Sequence, residues 1–166
     1  MSDIRRTLLF LHEGDNILLA MKKRGFGANR WNGVGGKLEA GETIEQALIR
    51  ETQEEIFVTP IDYVKVAELD FYGKDPETNE PWQMFVYAYL CTKWEGEPTE
   101  SEEMKPEWYK KNSIPYDDMW QDDEHWLPQV LEGKKYRQPF ISMKKTISNL
   151  MTLKRLCSGK EAHCHF

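Results

Sequence analysis

Three glutamates, Glu51, Glu54 and Glu55, are spaced so that a helix would line them up on one face. At 3.6 residues per turn they continue an apolar stripe that begins at Ile44. Like charges at this spacing repel each other, and the C-terminal end of a helix dipole disfavours anions. A divalent cation would remove both penalties, because Mg²⁺ binds carboxylate oxygens and shares its other positions with water and substrate phosphates. The spacing alone leaves two interpretations open, a metal site and a solvated acidic face.

The segment around these glutamates adds a longer pattern. Residues 36–58 read GKLEAGETIEQALIRETQEEIFV and resemble the Nudix box, which is Gly, five residues, Glu, seven residues, Arg-Glu, apolar, any, Glu-Glu, any, Gly, apolar. The residues that match its defined positions are Gly36, Glu42, Arg50, Glu51, Glu54, Glu55 and Val58. Thr52 stands where the pattern has an apolar residue, and Phe57 stands where it has the glycine that follows the helix.

This resemblance implies an α/β fold, a Nudix-type α/β/α sandwich with a mixed β-sheet. It also implies an enzyme that cleaves a nucleoside diphosphate linked to a further group, with Mg²⁺ as cofactor and Mn²⁺ as an alternative cation. The implied metal ligands are Glu51, Glu54 and Glu55, with the carbonyl of Gly36 as an addition. Arg50 would orient a carboxylate by bidentate pairing, and an ordinary i,i+4 pair with Glu54 is compatible with that role.

Residues 22–37, 100–106 and 114–126 are similar to the branch of the Nudix family that hydrolyses oxidised purine nucleoside triphosphates. By this resemblance Asp122 and Asp123 recognise the edge of a purine. Two close carboxylates can supply both a donor and an acceptor if one of them keeps its proton. The alternative is structural, because both residues also suit the N-terminus of a helix and need no ligand there.

The same resemblance assigns roles to seven more residues. Asn32 would offer an amide to the base, and Trp120 would stack on the purine. The residues expected to line the rest of the cleft are Thr7, Lys22, Phe26 and Phe85. Glu103 would be a further metal ligand or the general base that activates water. Taken singly, Asn32 also suits a turn, and the aromatic residues could be plain core.

Periodicity and capping signals predict the elements that position these residues. Strands are predicted over residues 7–11, 17–21, 61–72 and 82–92, with a turn at 13–16 and a glycine-rich loop at 22–37. Thr43, with Gln46 three residues later, predicts an N-cap and a capping box for the acidic helix. A second helix is predicted within residues 123–131, with Pro128 in its first turn.

Composition limits the classes of protein that the sequence can encode. The 166 residues include 22 Lys and Arg against 28 Asp and Glu, a net charge of −6, which argues against coating a nucleic acid or an anionic membrane. Three scattered cysteines do not form a disulfide framework, and no apolar run is long enough for a membrane span. We expect a cytoplasmic monomer with a Nudix domain over residues 1–145 and a tail over residues 146–166 that the resemblance does not cover.

The expected function is Mg²⁺-dependent hydrolysis of an oxidised purine deoxynucleoside triphosphate such as 8-oxo-dGTP to the monophosphate and pyrophosphate. Such a reaction would sanitise the nucleotide pool, and the partner would be a small-molecule nucleotide. One alternative is a Nudix hydrolase of another nucleoside diphosphate derivative, such as a different modified triphosphate, a dinucleoside polyphosphate or a nucleotide sugar. The other alternative is a non-catalytic nucleotide-binding module.

Overall fold

A computed structural model of the protein describes residues 2–25, 27–75, 77–137 and 141–142. The predictions for Phe26 and for the tail at 146–166 therefore lie outside the described residues. The strands are β1 Ser2–Glu13, β2 Asn16–Lys22, β3 Trp31–Asn32, β4 Thr59–Lys74, β5 Pro81–Glu95, β6 Met104–Lys110, β7 Tyr136–Arg137 and β8 Ile141–Ser142. The helices are α1 Ile44–Ile56 and α2 Asp123–Leu131, with short 3₁₀ turns at Lys111–Ser113 and Tyr116–Asp118.

The strands form one mixed sheet in the order β3-β2-β1-β5-β4-β7, with β6 paired to β2 and β8 paired to β4. β1 and β2 form the predicted antiparallel hairpin, while β1 runs parallel to β5 at the centre of the sheet. β4 and β5 are the two predicted long strands and pair antiparallel. Among the described residues, no helix is long and apolar enough to cross a membrane.

Alternating residues of β1 separate two cores on opposite faces of the sheet. Leu8 and Phe10 pack in one cluster with Trp126 of α2, whereas Leu9 and Leu11 pack in the other with Leu48 of α1. Each helix therefore covers a different face, because successive side chains of a strand point to opposite sides. The α/β/α sandwich with a mixed sheet is confirmed.

The predicted cap of α1 is confirmed in detail. The Thr43 hydroxyl accepts a hydrogen bond from the backbone N–H of Gln46 at 3.2 Å, and the Gln46 side chain accepts one from the Thr43 N–H at 2.9 Å. Thr52 is fully buried, and its hydroxyl donates to the Leu48 carbonyl at 2.7 Å. Thr52 thus fills the space of a branched apolar residue while its one polar group stays satisfied.

Phe57 ends α1 in the left-handed conformation, at φ 60° and ψ 33°, and its N–H donates to the Gln53 carbonyl. This is the backbone conformation for which glycine is usually required. The chain therefore leaves the helix as the motif predicts, with a backbone cost that a glycine would avoid. The Phe57 side chain is 58% exposed, so burial offsets little of that cost.

One expectation about α2 is wrong. Pro128 lies inside the helix and not in its first turn. Proline has no N–H, so the Glu124 carbonyl one turn earlier receives no helical hydrogen bond from it. Glu124 is exposed, and water can satisfy that carbonyl, which is why the helix continues to Leu131.

Candidate active site

Two adjacent cavities contain most of the predicted site residues. The carboxylate cavity, of about 370 Å³, is lined by Arg24, Glu51, Glu54, Glu55, Phe57, Ser101, Glu102 and Glu103. The sheet cavity, of about 120 Å³, has polar lining groups that include Arg6, Thr7, Lys22, Asn32, Asp122 and Asp123. Gly35 lines the sheet cavity, and its N–H donates a hydrogen bond to Glu55 in the carboxylate cavity. The two cavities are therefore neighbouring parts of one site.

Arg50 organises the carboxylates of α1. Its Nε and Nη2 donate to the two oxygens of Glu42 at 2.8 and 2.9 Å, which is the bidentate geometry. Its Nη1 also donates to Glu51 at 2.9 Å and to Glu54 at 3.2 Å. The hydrogen bonds from Arg50 lower the pKa of Glu42 to about 2. The bidentate partner is thus Glu42, and the i,i+4 pair with Glu54 forms alongside it.

The surroundings of Glu51 and Glu55 disfavour the ionised form of both side chains. Glu55 is 4% exposed, and burial raises its pKa to about 8 although the Gly35 N–H donates to it at 2.8 Å. Burial also raises the pKa of Glu51. A Cβ on Gly36 would lie 2.3 Å from the Glu51 carboxyl carbon, so this carboxylate occupies space that only glycine leaves free.

The candidate metal ligands of the carboxylate cavity fit a hard divalent cation, since all are oxygens, and a cation would offset the cost of ionising Glu51 and Glu55 there. Within the described ranges, no three acidic, histidine or cysteine side chains already converge as a metal-binding group. Arg50 engages Glu51 and Glu54, and Arg24 engages Glu103 at 3.0 Å. The Gly36 carbonyl accepts a hydrogen bond from the Thr7 N–H at 2.9 Å. A carbonyl oxygen has two lone pairs, so this bond leaves the second one for another ligand.

Glu103 belongs to the segment before β6, and it lines the same cavity as the carboxylates of α1. Its carbonyl accepts a hydrogen bond from the Lys23 N–H at 2.8 Å, and its side chain pairs with Arg24. Lys23 also donates from its ammonium to the Ser101 carbonyl at 2.7 Å. The loop after β2 therefore fastens Glu103 against the cavity.

The sheet cavity combines apolar walls with a few polar groups. Its apolar lining comes from Leu8, Leu69, Phe71, Met84, Val86 and Met104. Phe85, which was expected to wall the cleft, is not among the residues that line this cavity. Met84 and Val86 face the cavity, and the intervening residue of a strand points to the other face. Thr7 and Lys22 do line the cavity as expected.

Asp123 forms hydrogen bonds within the fold and also lines the sheet cavity. It is 3% exposed, and its two carboxyl oxygens accept from the Trp126 indole at 3.1 Å and from the Trp120 N–H at 3.2 Å. Burial raises the pKa of Asp123 and of Asp122, and for Asp123 the neighbouring Asp122 charge raises it further. Asp122 occupies the N-cap position of α2 without making a side-chain cap bond. Asp123 therefore has a structural role through its bonds to Trp120 and Trp126, whereas no helix-cap hydrogen bond accounts for Asp122.

Asn32 and Trp120 complete the cavity. The side-chain Oδ1 of Asn32 accepts from the Gly33 N–H at 2.8 Å, so the side-chain amide retains its two N–H donors. The Arg30 guanidinium lies over the Trp120 ring at 4.8 Å and donates to the Met119 carbonyl at 2.8 Å. A Cβ on Gly27 would lie 3.1 Å from the same indole. The glycine-rich loop thus determines where the Trp120 ring lies.

Two cationic residues of the sheet cavity, Arg6 and Arg30, were not found by sequence reasoning. Arg6 carried a usable signal, since it occupies the same alternating positions of β1 as the buried Leu8 and Phe10. No sequence signal pointed to Arg30, because the residues around a loop position do not show that its side chain will contact Trp120 from a distant segment.

Comparisons with known proteins agree with this architecture. A family model described as the NUDIX domain matches residues 3–130. A mouse (Mus musculus) protein named oxidized purine nucleoside triphosphate hydrolase is 42% identical over 130 residues, which is 78% of this chain and 81% of that protein. A zebrafish (Danio rerio) protein of the same name matches with the same identity and coverage. A crystal structure of MutT from Bacillus halodurans matches with a TM-score of 0.65 and 26% identity, over 81% of this chain and 85% of that one.

Proposed function

Since the chain belongs to the Nudix family, we propose that it hydrolyses oxidised purine nucleoside triphosphates, with 8-oxo-dGTP as the representative substrate. Nudix hydrolases act on small-molecule nucleotides and generally require a divalent metal. The products would be the nucleoside monophosphate and pyrophosphate, so the enzyme would remove damaged precursors from the nucleotide pool.

One observation carries the choice of substrate. An apolar-walled cavity has two adjacent carboxyl groups of raised pKa, Asp122 and Asp123, and it adjoins a second cavity lined by glutamates. A flat purine suits the first cavity, because its faces are apolar and its edge needs hydrogen-bond donors and acceptors. A triphosphate with its cation suits the second cavity.

The Asp pair can distinguish purines by the position of one proton. Repulsion between two close carboxylates favours the state in which one keeps its proton and donates, while the other accepts. Asn32 adds two N–H donors at the same cavity. An oxidised guanine differs from guanine in the donors and acceptors along its edge, so a fixed set of donors and acceptors would favour one of them by leaving the other unpaired.

In the carboxylate cavity, Glu51, Glu54 and Glu55 would hold the cation, with Glu103 and the Gly36 carbonyl as further ligands. A bound Mg²⁺ would neutralise triphosphate charge and make water a better nucleophile; Mn²⁺ is the alternative cation. Arg50 keeps Glu51 and Glu54 oriented through its own hydrogen bonds. Glu103 is our candidate general base, since it lines the cavity and its backbone is fastened to Lys23.

The test is a substrate panel with purified protein and Mg²⁺. It would contain 8-oxo-dGTP, dGTP, dATP, a dinucleoside polyphosphate and a nucleotide sugar, and it would measure release of pyrophosphate and monophosphate. We expect kcat/KM for 8-oxo-dGTP to exceed that for dGTP by at least about tenfold, which corresponds to one lost hydrogen bond to a buried group. Faster hydrolysis of the polyphosphate or the sugar would overturn the choice of substrate.

Glu55→Gln tests whether the carboxylates carry the reaction, and Glu45→Gln is the matched control, since Glu45 is an exposed residue of the same helix. Loss of turnover in the first variant only is expected. Absence of hydrolysis of every nucleotide by the unaltered protein, with binding retained, would instead indicate a non-catalytic binding module.

We further propose a cytoplasmic monomer, for which light scattering of the purified protein tests the oligomeric state.

A further inference from the structure

Arg6 is a cationic residue in the sheet cavity, and one of its polar atoms lacks a hydrogen-bond partner among the described residues. It belongs to β1 and lines the cavity together with Leu8. Its Nε is shielded from solvent and has no hydrogen-bond acceptor among the described residues. A buried N–H without an acceptor destabilises the fold, and the chain keeps the residue nevertheless. A missing anionic ligand would explain this cost.

The backbone neighbours of Arg6 show which end of the cavity it occupies. Arg6 forms an antiparallel bridge with Lys37, next to Gly36, where a Cβ would collide with the Glu51 carboxylate. Glu51 and Glu55 are accordingly the carboxylates that raise the pKa of Arg6 against the lowering effect of burial. Arg6 therefore lies in the sheet cavity on the side of the carboxylate cavity, toward the junction of the two.

A nucleotide that places its base at Asp122 and Asp123 and its outer phosphates among the glutamates must pass this junction. The group that joins a nucleoside to its outer phosphates is the 5′-phosphate, which is the α-phosphate of a triphosphate. A guanidinium suits a phosphate because its planar N–H groups can donate to two oxygens at once. Lys22 also lines the cavity and acts on Glu51 and Glu55, so the junction carries two positive charges.

We propose that Arg6 binds the 5′-phosphate of the nucleotide, so that the sheet cavity is a binding site for nucleoside 5′-monophosphates as well as triphosphates. The proposal rests on the function proposed above. Arg6 then acts in substrate binding through the phosphate that stays attached to the nucleoside. The monophosphate product retains this contact after pyrophosphate has departed, so Arg6 also strengthens product inhibition.

The experiment compares two ligands that differ only in the phosphate. Calorimetry without metal would measure the dissociation constants of 8-oxo-dGMP and of 8-oxo-deoxyguanosine for the unaltered protein and for Arg6→Met. Arg5→Met is the matched control, since Arg5 is the exposed neighbour of Arg6 on β1. We expect Arg6→Met to weaken monophosphate binding about tenfold to hundredfold, the loss of one charge-assisted hydrogen bond, while nucleoside binding and the Arg5→Met variant stay unchanged.

Equal weakening of both ligands would overturn the proposal, because Arg6 would then contact the base or sugar. Unchanged binding of both would overturn it as well. Arg6→Lys keeps the charge but loses the planar donors, so it should recover part of the monophosphate affinity, and it replaces Arg6→Met if that variant does not fold. Measuring dGMP and deoxyguanosine in parallel separates this proposal from the proposed function. If the protein binds both monophosphates equally, the proposed preference for an oxidised purine is wrong. The difference in affinity between each monophosphate and its nucleoside still tests the role of Arg6.

Discussion

The backbone N–H of Gly35 donates a hydrogen bond of 2.8 Å to Oε2 of Glu55, and this bond links the two cavities. A Cβ on Gly35 would lie 2.2 Å from the Thr7 carbonyl oxygen, so only glycine allows the loop to approach β1 this closely. The position of the Glu55 carboxylate on α1 thus depends on backbone packing between a loop and the central strand of the sheet.

Glu55 should make the metal-free protein less stable as the pH rises. Its pKa is about 8 in the folded chain against 4.5 ordinarily, so the folded state holds a proton that the unfolded state releases. The resulting stability is fully present below about pH 4.5, declines as the pH rises, and is lost above about pH 8. Urea unfolding in EDTA should show this decline in the unaltered protein, and Glu55→Gln should reduce it. Parallel pH profiles for the two proteins would contradict the prediction, and Glu45→Gln controls for the loss of a charge on α1.

Arg50→Lys should impair turnover and raise the Mg²⁺ concentration needed for it. Lysine keeps the charge but cannot donate to both oxygens of Glu42 while it also holds Glu51. We expect kcat to fall by about tenfold or more, the effect of one misplaced interaction in the transition state, in a chain that still folds. Initial rates across a Mg²⁺ series measure both effects. Arg137→Lys, which alters an exposed pair with Glu68, should leave the rates unchanged.

The two adjacent aspartates should respond differently to the same change. Asparagine has one acceptor oxygen, so Asp123→Asn places an NH₂ group against either the Trp126 indole N–H or the Trp120 N–H. It should cost about 1–3 kcal/mol of unfolding free energy. Asp122→Asn should leave the unfolding free energy near that of the unaltered protein and lower the ratio of kcat/KM for 8-oxo-dGTP to that for dGTP. An unchanged ratio would argue that Asp122 does not recognise the purine.

Phe57→Gly should stabilise the protein by about 1 kcal/mol, because glycine adopts the left-handed conformation without the cost that a side chain imposes. The exposed Phe57 ring loses little burial when it is removed. Phe57→Ala is the control, since alanine removes the ring but keeps a Cβ and hence the backbone cost. Urea unfolding distinguishes the two variants. An equal increase in the free energy of unfolding in both would show that the ring, and not the backbone conformation, is the source of the strain.

Local features could be predicted because they depend on residues close in sequence. The capping box at Thr43, the hairpin between β1 and β2 and the spacing of Glu51, Glu54 and Glu55 depend only on turn chemistry and helical periodicity. The errors arose where a distant neighbour decides the outcome. Pro128 continues a helix that packs on the sheet through buried residues, and that packing offsets the lost hydrogen bond.

The sheet cavity is the part of the site that required the tertiary structure. Phe85 carries the same apolar signal as Met84, and only the register of β5 beside β1 and β4 determines which of them faces the cavity. Phe57 likewise departs from the family pattern in sequence, yet its backbone adopts the conformation of the expected glycine. In both cases the residue type left the outcome open until its backbone position was known.

By itself, the sequence determined the family pattern, the acidic helix and the carboxylates that suit a cation, since these follow from the order and spacing of residues on one element. Tertiary structure alone decided that Glu42 is the bidentate partner of Arg50, that Asp123 is tied to Trp126, and that the Arg6 Nε is buried with no hydrogen-bond partner among the described residues. The physical reason is that burial and the nearest charge determine what an ionisable group can do, and both are set by segments far apart in the chain.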